Sequence, residues 1–492
     1  NENSDENIFR ELARQAANDI DKKYFNSNDS IYSVGRQGAN VYPLGFGFAS
    51  NENKNAIFEK MVELLRNSNF HFDTGILGTP LLLEVLTEQG RADLAYTLMN
   101  QRDFPSFGYM IEKGATTIWE TFQGDVSHSH PMFWSVTQWF FQHLGGIVPD
   151  PENPGFKHII IKPYPVNGLE FARTTYPSLY GLIETDWKFS GDDFKLKVTV
   201  PANTTATVYV LSSDAKNVAE SEKQISGNKF VKFLRQEKTF SVFEVAAGEY
   251  NFLSKGAKTI LPKTMLPAPV IALENTFAFE GDTVEVVISS GDPGAKTYFT
   301  TNGLEPDENS EVYEKPLRIS KTTKIKAKSV KEGFISSTVQ SGFVEFINPE
   351  LNGLQYKYYE GKWMKLPDFS RQQVVKTGIV YEFGLDKIIP AKDEFALSFT
   401  GSIKIDESGS YTFFIQSNDG SKLFIDNRLV VDHDGPHGAE IEKQGTINLE
   451  KGTHPIKLNY FQAGGGMFLK VKFAGPNIEK QDLPARFLFK EL

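Results

Sequence analysis

The pattern of hydrophobic and polar positions changes near Pro149. Before that point, apolar residues recur three or four positions apart, which places them on one face of a helix. Two series show this spacing: Ile8, Leu12, Ala16 and Ile20, then Ile57, Met61, Leu64 and Leu65. Residues 1 to about 150 are therefore predicted to be helical.

Some of these helices have predicted ends. Thr79-Pro80 precedes the apolar run 81–86, so we expect Thr79 to be the N-cap and Pro80 the first helical residue. Gly90 should end that helix, and the next is predicted over 93–99. A last helix is predicted over 133–144, before Gly145-Gly146. Its aromatic residues are expected to be core rather than a ligand platform: Trp134, Trp139, Phe140 and Phe141.

Beyond Pro149 the apolar positions alternate with period two, as in half-buried strands. The predicted strands are 194–200, 206–210, 283–289, 296–300, 324–330, 395–405, 411–416, 423–426, 456–461 and 467–473. A proline-rich stretch after residue 254 reads as an extended linker, and Gly464-Gly465-Gly466 as a hairpin turn. The predicted division is 1–150, 151–254, a linker at 255–265, 266–348 and 349–492.

Composition narrows the class of protein. The chain has 492 residues, 40% of them hydrophobic and 13% aromatic, which indicates several globular domains. The formal net charge of −10 argues against a general nucleic-acid binder, and no apolar run is long enough for a membrane span. The absence of cysteine excludes disulfides and thiolate metal sites. Because the chain opens Asn1-Glu2-Asn3 without Met or an apolar signal segment, we expect a processed form or a piece of a longer polypeptide.

The stretches 114–120 and 127–133 carry the candidate chemistry. Glu120 follows Trp119, and His128 and His130 come within ten residues. A glycosidase needs a carboxyl group to move a proton or activate water, an aromatic ring for the sugar and polar groups for its hydroxyls. By pattern alone, Glu120 fits a solvated, ion-paired glutamate better. His-x-His is also a metal-binding pattern, although no acidic or Cys partner lies nearby.

Longer motifs resemble the bacterial α-L-rhamnosidases. The matching stretches are 72–79, 105–111, 114–120, 155–163 and 201–209. Together they extend over roughly Tyr24 to Phe252, in the order of the family. The resemblance implies a catalytic (α/α)6 barrel followed by a β-sandwich, and hydrolysis of terminal α-L-rhamnose with inversion, without a required cofactor.

The resemblance also implies residue roles. It makes Glu120 the general base, with Trp119 beside it, and His130 a ligand of sugar hydroxyls. Asp73 is a further candidate sugar contact, and the segment 37–40 is expected to give packing support. Two departures affect the rim of the site: Thr121 to Gly124 replace the frequent Arg-Trp-Asp-Gly, and Trp134 stands where Gly is frequent.

The family's general acid is expected to lie outside this sequence. In the family it is a Glu well upstream of the base, and nothing between Asn1 and Phe72 resembles its acidic segment. Twelve helices of ~11–12 residues with ~5-residue loops need at least ~200 residues, whereas about 150 precede the β region. We therefore expect the C-terminal half of the barrel, with the missing N-terminal half as a partner.

The two last regions resemble other modules. Residues 266–348 resemble the Ig-like module at the C-terminus of chitobiase-type enzymes, through 295–303 and 324–333. Residues 349–492 resemble the β-barrel named after anthrax protective antigen, through 409–426 and 432–438. Related modules bind carbohydrate, some with calcium. Asp419, Asp432 and Asp434 are candidate Ca²⁺ ligands, with turn-forming aspartates as the alternative.

The sequence thus predicts a multidomain α and all-β protein: half an (α/α)6 barrel, a β-sandwich, an Ig-like module and a β-barrel. Its expected function is hydrolysis of terminal α-L-rhamnosyl linkages in oligo- or polysaccharides, in the bacterial periplasm, outside the cell or on its surface. No nucleic-acid partner is expected. The alternatives are a non-catalytic carbohydrate-binding or scaffolding piece, and another (α/α)-barrel hydrolase.

Overall fold

The computed structural model describes residues 2–124, 126–134, 136–225, 228–273, 277–385, 388, 394–439 and 441–491. The chain forms two compact units. Unit 1 comprises Asn1–Ala272, Ile288–Lys315 and Lys326–Ser341, and unit 2 comprises Leu273–Val287, Pro316–Ile325 and Gly342–Leu492. Segments of the predicted 266–348 module therefore occur in both units.

Unit 1 begins with helices, as predicted. They are α1 (Glu2–Tyr24), α2 (Gln37–Gly45), α3 (Lys54–Asn67), α4 (Gly75–Glu88), α5 (Ala92–Met99), α6 (Phe107–Glu112), α7 (Pro131–Trp134) and α8 (Val136–Trp139), followed by a π-helical turn at Phe140–Leu144. A short hairpin of β1 (Phe25–Asn26) and β2 (Ile31–Tyr32) follows α1. The central helix is α4, which contacts α2, α5, α7 and α8. Among the described residues these helices do not close into a barrel.

The predicted start of α4 is wrong. The helix begins at Gly75 with Thr74 as its N-cap, and Pro80 lies inside it. Thr79 does not cap the helix; its hydroxyl donates to the Gly75 carbonyl at 2.8 Å. That bond uses the carbonyl four residues back, as a threonine inside a helix does, so the Thr-Pro pair marks an internal turn.

The predicted aromatic core of the last helix is only partly correct. Trp139 is buried, but Trp134, Phe140 and Phe141 are 44%, 44% and 47% exposed. The Gly145 N–H bonds the Phe140 carbonyl at 2.8 Å, five residues back. This wider π-type turn at Phe140–Leu144 replaces the last part of the regular helix expected over 133–144.

A β-sandwich follows the helices. Its strands are β3 (Ile147–Pro149), β4 (His158–Ile161), β5 (Phe171–Ser178), β6 (Gly181–Ser190), β7 (Asp193–Val200), β8 (Thr205–Leu211), β9 (Val218–Glu220), β10 (Lys223–Gln224), β11 (Val231–Glu237), β12 (Phe240–Val245) and β13 (Gly248–Ser254). They form a six-stranded sheet, β10-β9-β13-β7-β6-β5, and a five-stranded sheet, β11-β12-β8-β4-β3. The buried alternation of β7 and β8 agrees with the predicted strands.

Two side chains of the sandwich bond the end of the helical region. Trp187 is fully buried, and its indole N–H donates to the Leu144 carbonyl at 2.7 Å. Beside it, the buried Thr185 hydroxyl donates to the Gly145 carbonyl at 2.7 Å. These carbonyls end the last helical segment, where backbone acceptors need partners. Burial and hydrogen bonding therefore fix the sandwich to the helices.

The next strands are divided between the units. They are β14 (Val270–Ala272), β15 (Phe277–Phe279), β16 (Val284–Ser289), β17 (Lys296–Thr300), β18 (Glu311–Val312), β19 (Leu317–Ile319), β20 (Thr323–Val330) and β21 (Gln340–Ile347). In unit 1, β17 pairs antiparallel with β18 and with the second half of β20. In unit 2, β15 pairs in parallel with β21.

The last region, predicted as a β-barrel, has its strands in two sheets. Its strands are β22 (Leu354–Glu360), β23 (Lys376–Val380), β24 (Phe395–Ile405), β25 (Gly409–Ser417), β26 (Ser421–Ile425), β27 (Arg428–His433), β28 (Glu442–Leu449), β29 (Gly452–Gln462), β30 (Leu469–Gly475), β31 (Ile478–Asp482) and β32 (Leu488–Phe489). One sheet has the order β23-β22-β24-β29-β26-β27 with β32 beside β24, and the other β28-β25-β30-β31. Buried aromatic rings, including Phe399, Phe413 and Phe473, form their common core.

The predicted hairpin turn at Gly464 to Gly466 is also wrong. These glycines connect β29 and β30, which lie in different sheets. The Gln462 amide donates to the Gly464 and Gly466 carbonyls at 2.8 and 3.0 Å, so a side chain organises the connection between the two sheets.

Among the described residues, no helix is both long and apolar enough to cross a bilayer.

The bond from Trp187 can be tested by substitution. Trp187→Phe keeps a buried ring but leaves the Leu144 carbonyl without its indole donor. A buried acceptor without a partner costs about 1–3 kcal/mol, so the free energy of unfolding of unit 1 should fall by that amount. Urea denaturation would measure it. The matched control, the exposed Trp134→Phe, should change stability by less than about 0.5 kcal/mol. Equal effects of the two variants would contradict the assigned role.

Candidate active site

Glu120 and His130 lie on two chain segments that run antiparallel. The Glu120 N–H donates to the Ser127 carbonyl at 2.9 Å, and the His130 N–H donates to the Ile118 carbonyl at 3.1 Å. The Thr117 hydroxyl adds a bond to the His128 carbonyl. The intervening loop therefore returns the chain beside itself, which brings together two side chains ten positions apart. We call residues 117–130 the active-site loop.

The side chains of Glu120 and His130 face each other across this loop. His130 Nε2 lies 3.9 Å from Glu120 Oε1, a distance compatible with an ion pair but too long for a direct hydrogen bond. The side chains of Glu120 and His130 are 39% and 25% exposed. The carboxylate is therefore accessible to water or a ligand.

Trp119 points the other way, into the protein. It is only 8% exposed and packs with Met110 and Phe133 in a small apolar cluster. The His128 ring stacks on it with centroids 4.8 Å apart and planes 20° apart. Most of the indole is therefore covered in this conformation. Its contact with a sugar remains a prediction, whereas its role in anchoring the loop is observed.

Four phenylalanines pack together under the active-site loop. Phe72, Phe107, Phe122 and Phe133 have neighbouring ring centroids 5.0–5.8 Å apart, in tilted, edge-to-face and one stacked arrangement. Such pairs stabilise by about 0.5–1.5 kcal/mol each beyond their burial. They connect the segment before α4, helix α6, the loop and α7. This cluster is not evident from the sequence, because its members are widely spaced along the chain.

Asp73 lies next to Phe72, in the segment that the cluster brings beside the loop. Its carboxylate pairs with Arg36 at 3.3 Å, and both side chains are largely exposed. The Gln37 side chain holds the local backbone, since it accepts from the Asp73 N–H at 2.9 Å and donates to the His71 carbonyl at 2.8 Å. The support expected of the 37–40 segment is therefore visible at Gln37.

A second histidine–carboxylate pair was missed from the sequence. His71 Nε2 lies 2.8 Å from Asp103 Oδ1, and its Nδ1 lies 3.0 Å from the Ser68 carbonyl. Burial by itself would lower the pKa of His71, but the Asp103 carboxylate and the backbone carbonyls outweigh burial and raise the pKa. Both ring nitrogens face acceptors, which favours the doubly protonated imidazolium. This pair supports the segment that carries Phe72 and Asp73.

The histidine pair of the active-site loop does not form a metal site. His128 Nε2 lies 2.8 Å from the Gly124 carbonyl, and its ring covers Trp119. Within the described part of the chain, no three His, Asp or Glu side chains are grouped so that they could hold a metal ion.

The predicted calcium ligands are engaged with protein groups instead. Lys422 Nζ lies 3.4 Å from Asp432 and 3.1 Å from Asp434, so one cation serves both carboxylates. Asp434 also accepts the Leu366 N–H at 2.8 Å. Asp419 is buried and accepts the Ala463 N–H at 2.6 Å. The prediction of Ca²⁺ therefore gains no support, and the alternative of turn-organising aspartates agrees with these contacts.

Family models match four parts of the chain. Residues 1–144 match the bacterial alpha-L-rhamnosidase 6 hairpin glycosidase domain, and 146–226 match the bacterial alpha-L-rhamnosidase C-terminal domain. The resemblance of this part to bacterial α-L-rhamnosidases is confirmed. Residues 278–341 match the chitobiase/beta-hexosaminidase C-terminal domain, and 351–485 match the PA14 domain. The predicted glycosidase domain and the two predicted C-terminal modules are thus found at the level of family.

Named relatives agree with these matches. An α-L-rhamnosidase of Streptomyces avermitilis is 35% identical over 44% of this chain and 21% of its own length. One of Alteromonas sp. (strain LOR) is 36% identical over 35% of this chain and 20% of its own. The solved structure of the Streptomyces avermitilis α-L-rhamnosidase complexed with L-rhamnose has a TM-score of 0.47 at 32% identity, covering 50% of this chain and 24% of that one. The chain spans about a fifth of the length of these two curated relatives.

The packing of Trp119 gives a test of the active-site loop. Gly124 has φ +74°, and a methyl group added there would approach the Trp119 ring to 2.5 Å. Gly124→Ala should therefore displace the indole and change its near-ultraviolet circular dichroism. Gly114→Ala is a matched control, since φ is +83° and nothing lies within 4 Å of the added methyl group. Both carry the backbone cost of about 1–2 kcal/mol, but only the first should move Trp119. Identical spectra in the two variants would contradict this packing.

The pair of His71 and Asp103 predicts a pH dependence of stability. Because the pKa of His71 is raised on folding, its stabilising contribution is complete below the unfolded value of about 6.5 and is lost as the pH rises through the folded value. Asp103→Asn should therefore lower the free energy of unfolding more at pH 6 than at pH 9. Helical circular dichroism during urea denaturation reports this part of the chain. An Asp103→Asn effect equal at both pH values would contradict the raised pKa.

Proposed function

We propose that this chain contributes the general base of an inverting α-L-rhamnosidase that removes terminal rhamnose from glycans. The observation that supports this most directly is Glu120: an accessible carboxylate, 3.9 Å from His130, within the region matching the glycosidase domain. The named relatives are α-L-rhamnosidases, which supports rhamnosides as the substrate class. Cleavage of the rhamnosidic bond requires no redox step and no group beyond water and two carboxyl groups.

In the proposed mechanism, Glu120 removes a proton from a water molecule that attacks the anomeric carbon from the face opposite the leaving group. A carboxylate for this task must be reachable by water, as Glu120 is with 39% of its side chain exposed. His130 is a positioning residue, which faces the carboxylate and donates to a hydroxyl of the sugar. Asp73 accepts from another hydroxyl, and Trp119 lines the site from below.

An inverting site also needs a general acid ~6.5–9.5 Å from the base, which protonates the leaving oxygen. We infer that this general acid comes from sequence beyond these 492 residues, because the two curated relatives are about five times as long as the region that matches them. The natural partner of the helical region would then be the other half of an (α/α)6 barrel. We further place the activity outside the cytoplasm, where polymeric glycans are available to a bacterium.

Glu120→Gln tests the assignment of the base. The amide keeps the size and polarity of the side chain but cannot accept the proton, so turnover of an aryl α-L-rhamnoside by the complete natural polypeptide should fall by ~10²–10⁴-fold. Binding of rhamnose should be retained. The matched control is Glu63→Gln on α3, an exposed glutamate paired with Lys60, which should leave turnover unchanged. Unchanged turnover in Glu120→Gln would refute the proposal.

The stereochemistry gives an independent measurement. Proton NMR of the first product should show β-L-rhamnose before mutarotation, since inversion reverses the α configuration of the substrate. A first product with the α configuration would mean a double displacement, and Glu120 could not then be a base acting on water alone. Release of rhamnose by residues 1–492 without further sequence would contradict the external general acid.

A further inference from the structure

Unit 2 contains a large groove whose lining residues do not include the aspartates discussed above. Its volume is about 1020 Å³, which exceeds the usual range for a small-molecule pocket. One wall is β15 with the following residues to Glu285, another is the end of β23 with the segment to Leu385, and the third is the start of β30 with the two residues before it. All of these residues belong to unit 2.

Three aromatic rings meet in the groove. Phe277, Phe279 and Tyr381 have centroids 5.0–5.8 Å apart, with interplanar angles between 56° and 68°. None of the three is fully buried, so part of each ring lines the open space. Rings held by one another at steep angles present fixed faces in different directions. Such faces suit the C–H surfaces of sugar rings, which are apolar but bordered by hydroxyls.

The rim of the groove is acidic. Asp282, Glu285 and Glu382 line it, whereas its only lysine among the lining residues, Lys470, lies 3.0 Å from Asp482. A negatively charged rim disfavours nucleic acids, polyuronates and anionic lipids. Carboxylates accept hydrogen bonds from neutral hydroxyl groups without needing a charged partner. The charge therefore favours an uncharged, hydroxyl-rich ligand.

A second cavity adjoins the groove. It has a volume of about 480 Å³ and shares Glu382, Phe383 and Lys470 with it. Its lining adds the cationic side chains of Lys324 and Arg486, and Arg486 pairs with the buried Glu345, which also accepts the Arg486 N–H at 3.1 Å. The two cavities together extend the open surface beyond the size of one sugar. A chain of several residues fits this extent better than a monosaccharide.

From these observations we propose that the groove between β15, the segment 379–385 and β30 binds a neutral oligosaccharide chain. The identity of the sugar rests on the proposed function, which favours rhamnose-containing chains, whereas the class of ligand rests on the rings and the acidic rim. Asp419, Asp432 and Asp434 are not among its lining residues. Its task would be to hold the glycan on the protein while terminal residues are removed elsewhere.

Calorimetric titration of the Glu120→Gln form tests this, because that form cannot consume the probe. The probes are an α-(1→3)-linked L-rhamnose hexasaccharide, cellohexaose, hexagalacturonate and hexalysine. The rhamnose chain should bind and hexagalacturonate should not.

Tyr381→Ala should weaken binding of the rhamnose chain by at least about tenfold. The exposed double change Asp282→Asn with Glu285→Gln should weaken it severalfold without touching the core, which keeps the test valid if Tyr381→Ala misfolds. Exposed Glu479→Gln is the control.

The outcomes separate this site from the proposed activity. Binding of cellohexaose but not of the rhamnose chain would support the groove as a neutral glycan site and count against rhamnose as the sugar. Failure of both neutral probes, or preference for hexagalacturonate or hexalysine, would overturn the groove proposal, whatever the rhamnosidase assay shows. Binding that survives both groove variants but is lost in Asp432→Asn would place the ligand at the other loops and overturn it as well.

Discussion

The position of Glu120 depends on the burial of the residue before it. Trp119 is inserted into the apolar cluster with Met110 and Phe133. The backbone of the loop is held by hydrogen bonds from the N–H groups of Glu120 and His130. Trp119 is buried whereas the Glu120 side chain is 39% exposed, so these two neighbouring side chains lie on opposite sides of the loop. Phe122 of the loop packs against Phe72, Phe107 and Phe133, which attaches the loop to the segment before α4, to α6 and to α7. This packing and the backbone hydrogen bonds from Glu120 and His130 together give the polar loop its position.

Two histidines in unit 1 show how burial and neighbouring groups shift the pKa of an imidazole. His71 has a carboxylate and a carbonyl as neighbours, and its pKa is raised. His143 is also buried, but burial and the nearby charge of Lys162 lower its pKa to about 4. Its stabilising contribution is therefore complete near neutral pH and is lost as the pH falls from about 6.5 towards 4. The two histidines thus make the stability of this part of the chain depend on pH in opposite directions.

The sequence predicted the strands better than the packing of the helices. The structure has strands at Asp193–Val200 and Phe395–Ile405, as predicted. Alternation in 194–200 also reports which face is buried, whereas 395–399 is buried on both faces. Helix ends and faces depend on more distant partners. Thr79 could cap or lie inside a helix, and only its bond to Gly75 decides. The exposure of Phe140 and Phe141 follows from a π-type turn that no periodicity rule contains. For the site, motif resemblance located Glu120 and His130, but the supporting Phe cluster and the pair of His71 and Asp103 required three dimensions.

The carboxylates discussed above differ mainly in the protein group with which each is already paired. Asp103 is committed to His71, and Asp432 and Asp434 share Lys422, so each carries its counter-charge within bonding distance. Binding a metal or a substrate there would first require that pairing to be broken, which costs more as the pair becomes less exposed. Glu120 has His130 3.9 Å away, beyond hydrogen-bonding distance, and 39% of its own side chain is exposed. An acid–base residue must be able to take up and release a proton, and a permanent cation at bonding distance would hold it ionised. The group with which a carboxylate is already paired, more than the motif around it, therefore distinguishes Glu120, which suits catalysis, from Asp103, Asp432 and Asp434, which suit structural roles.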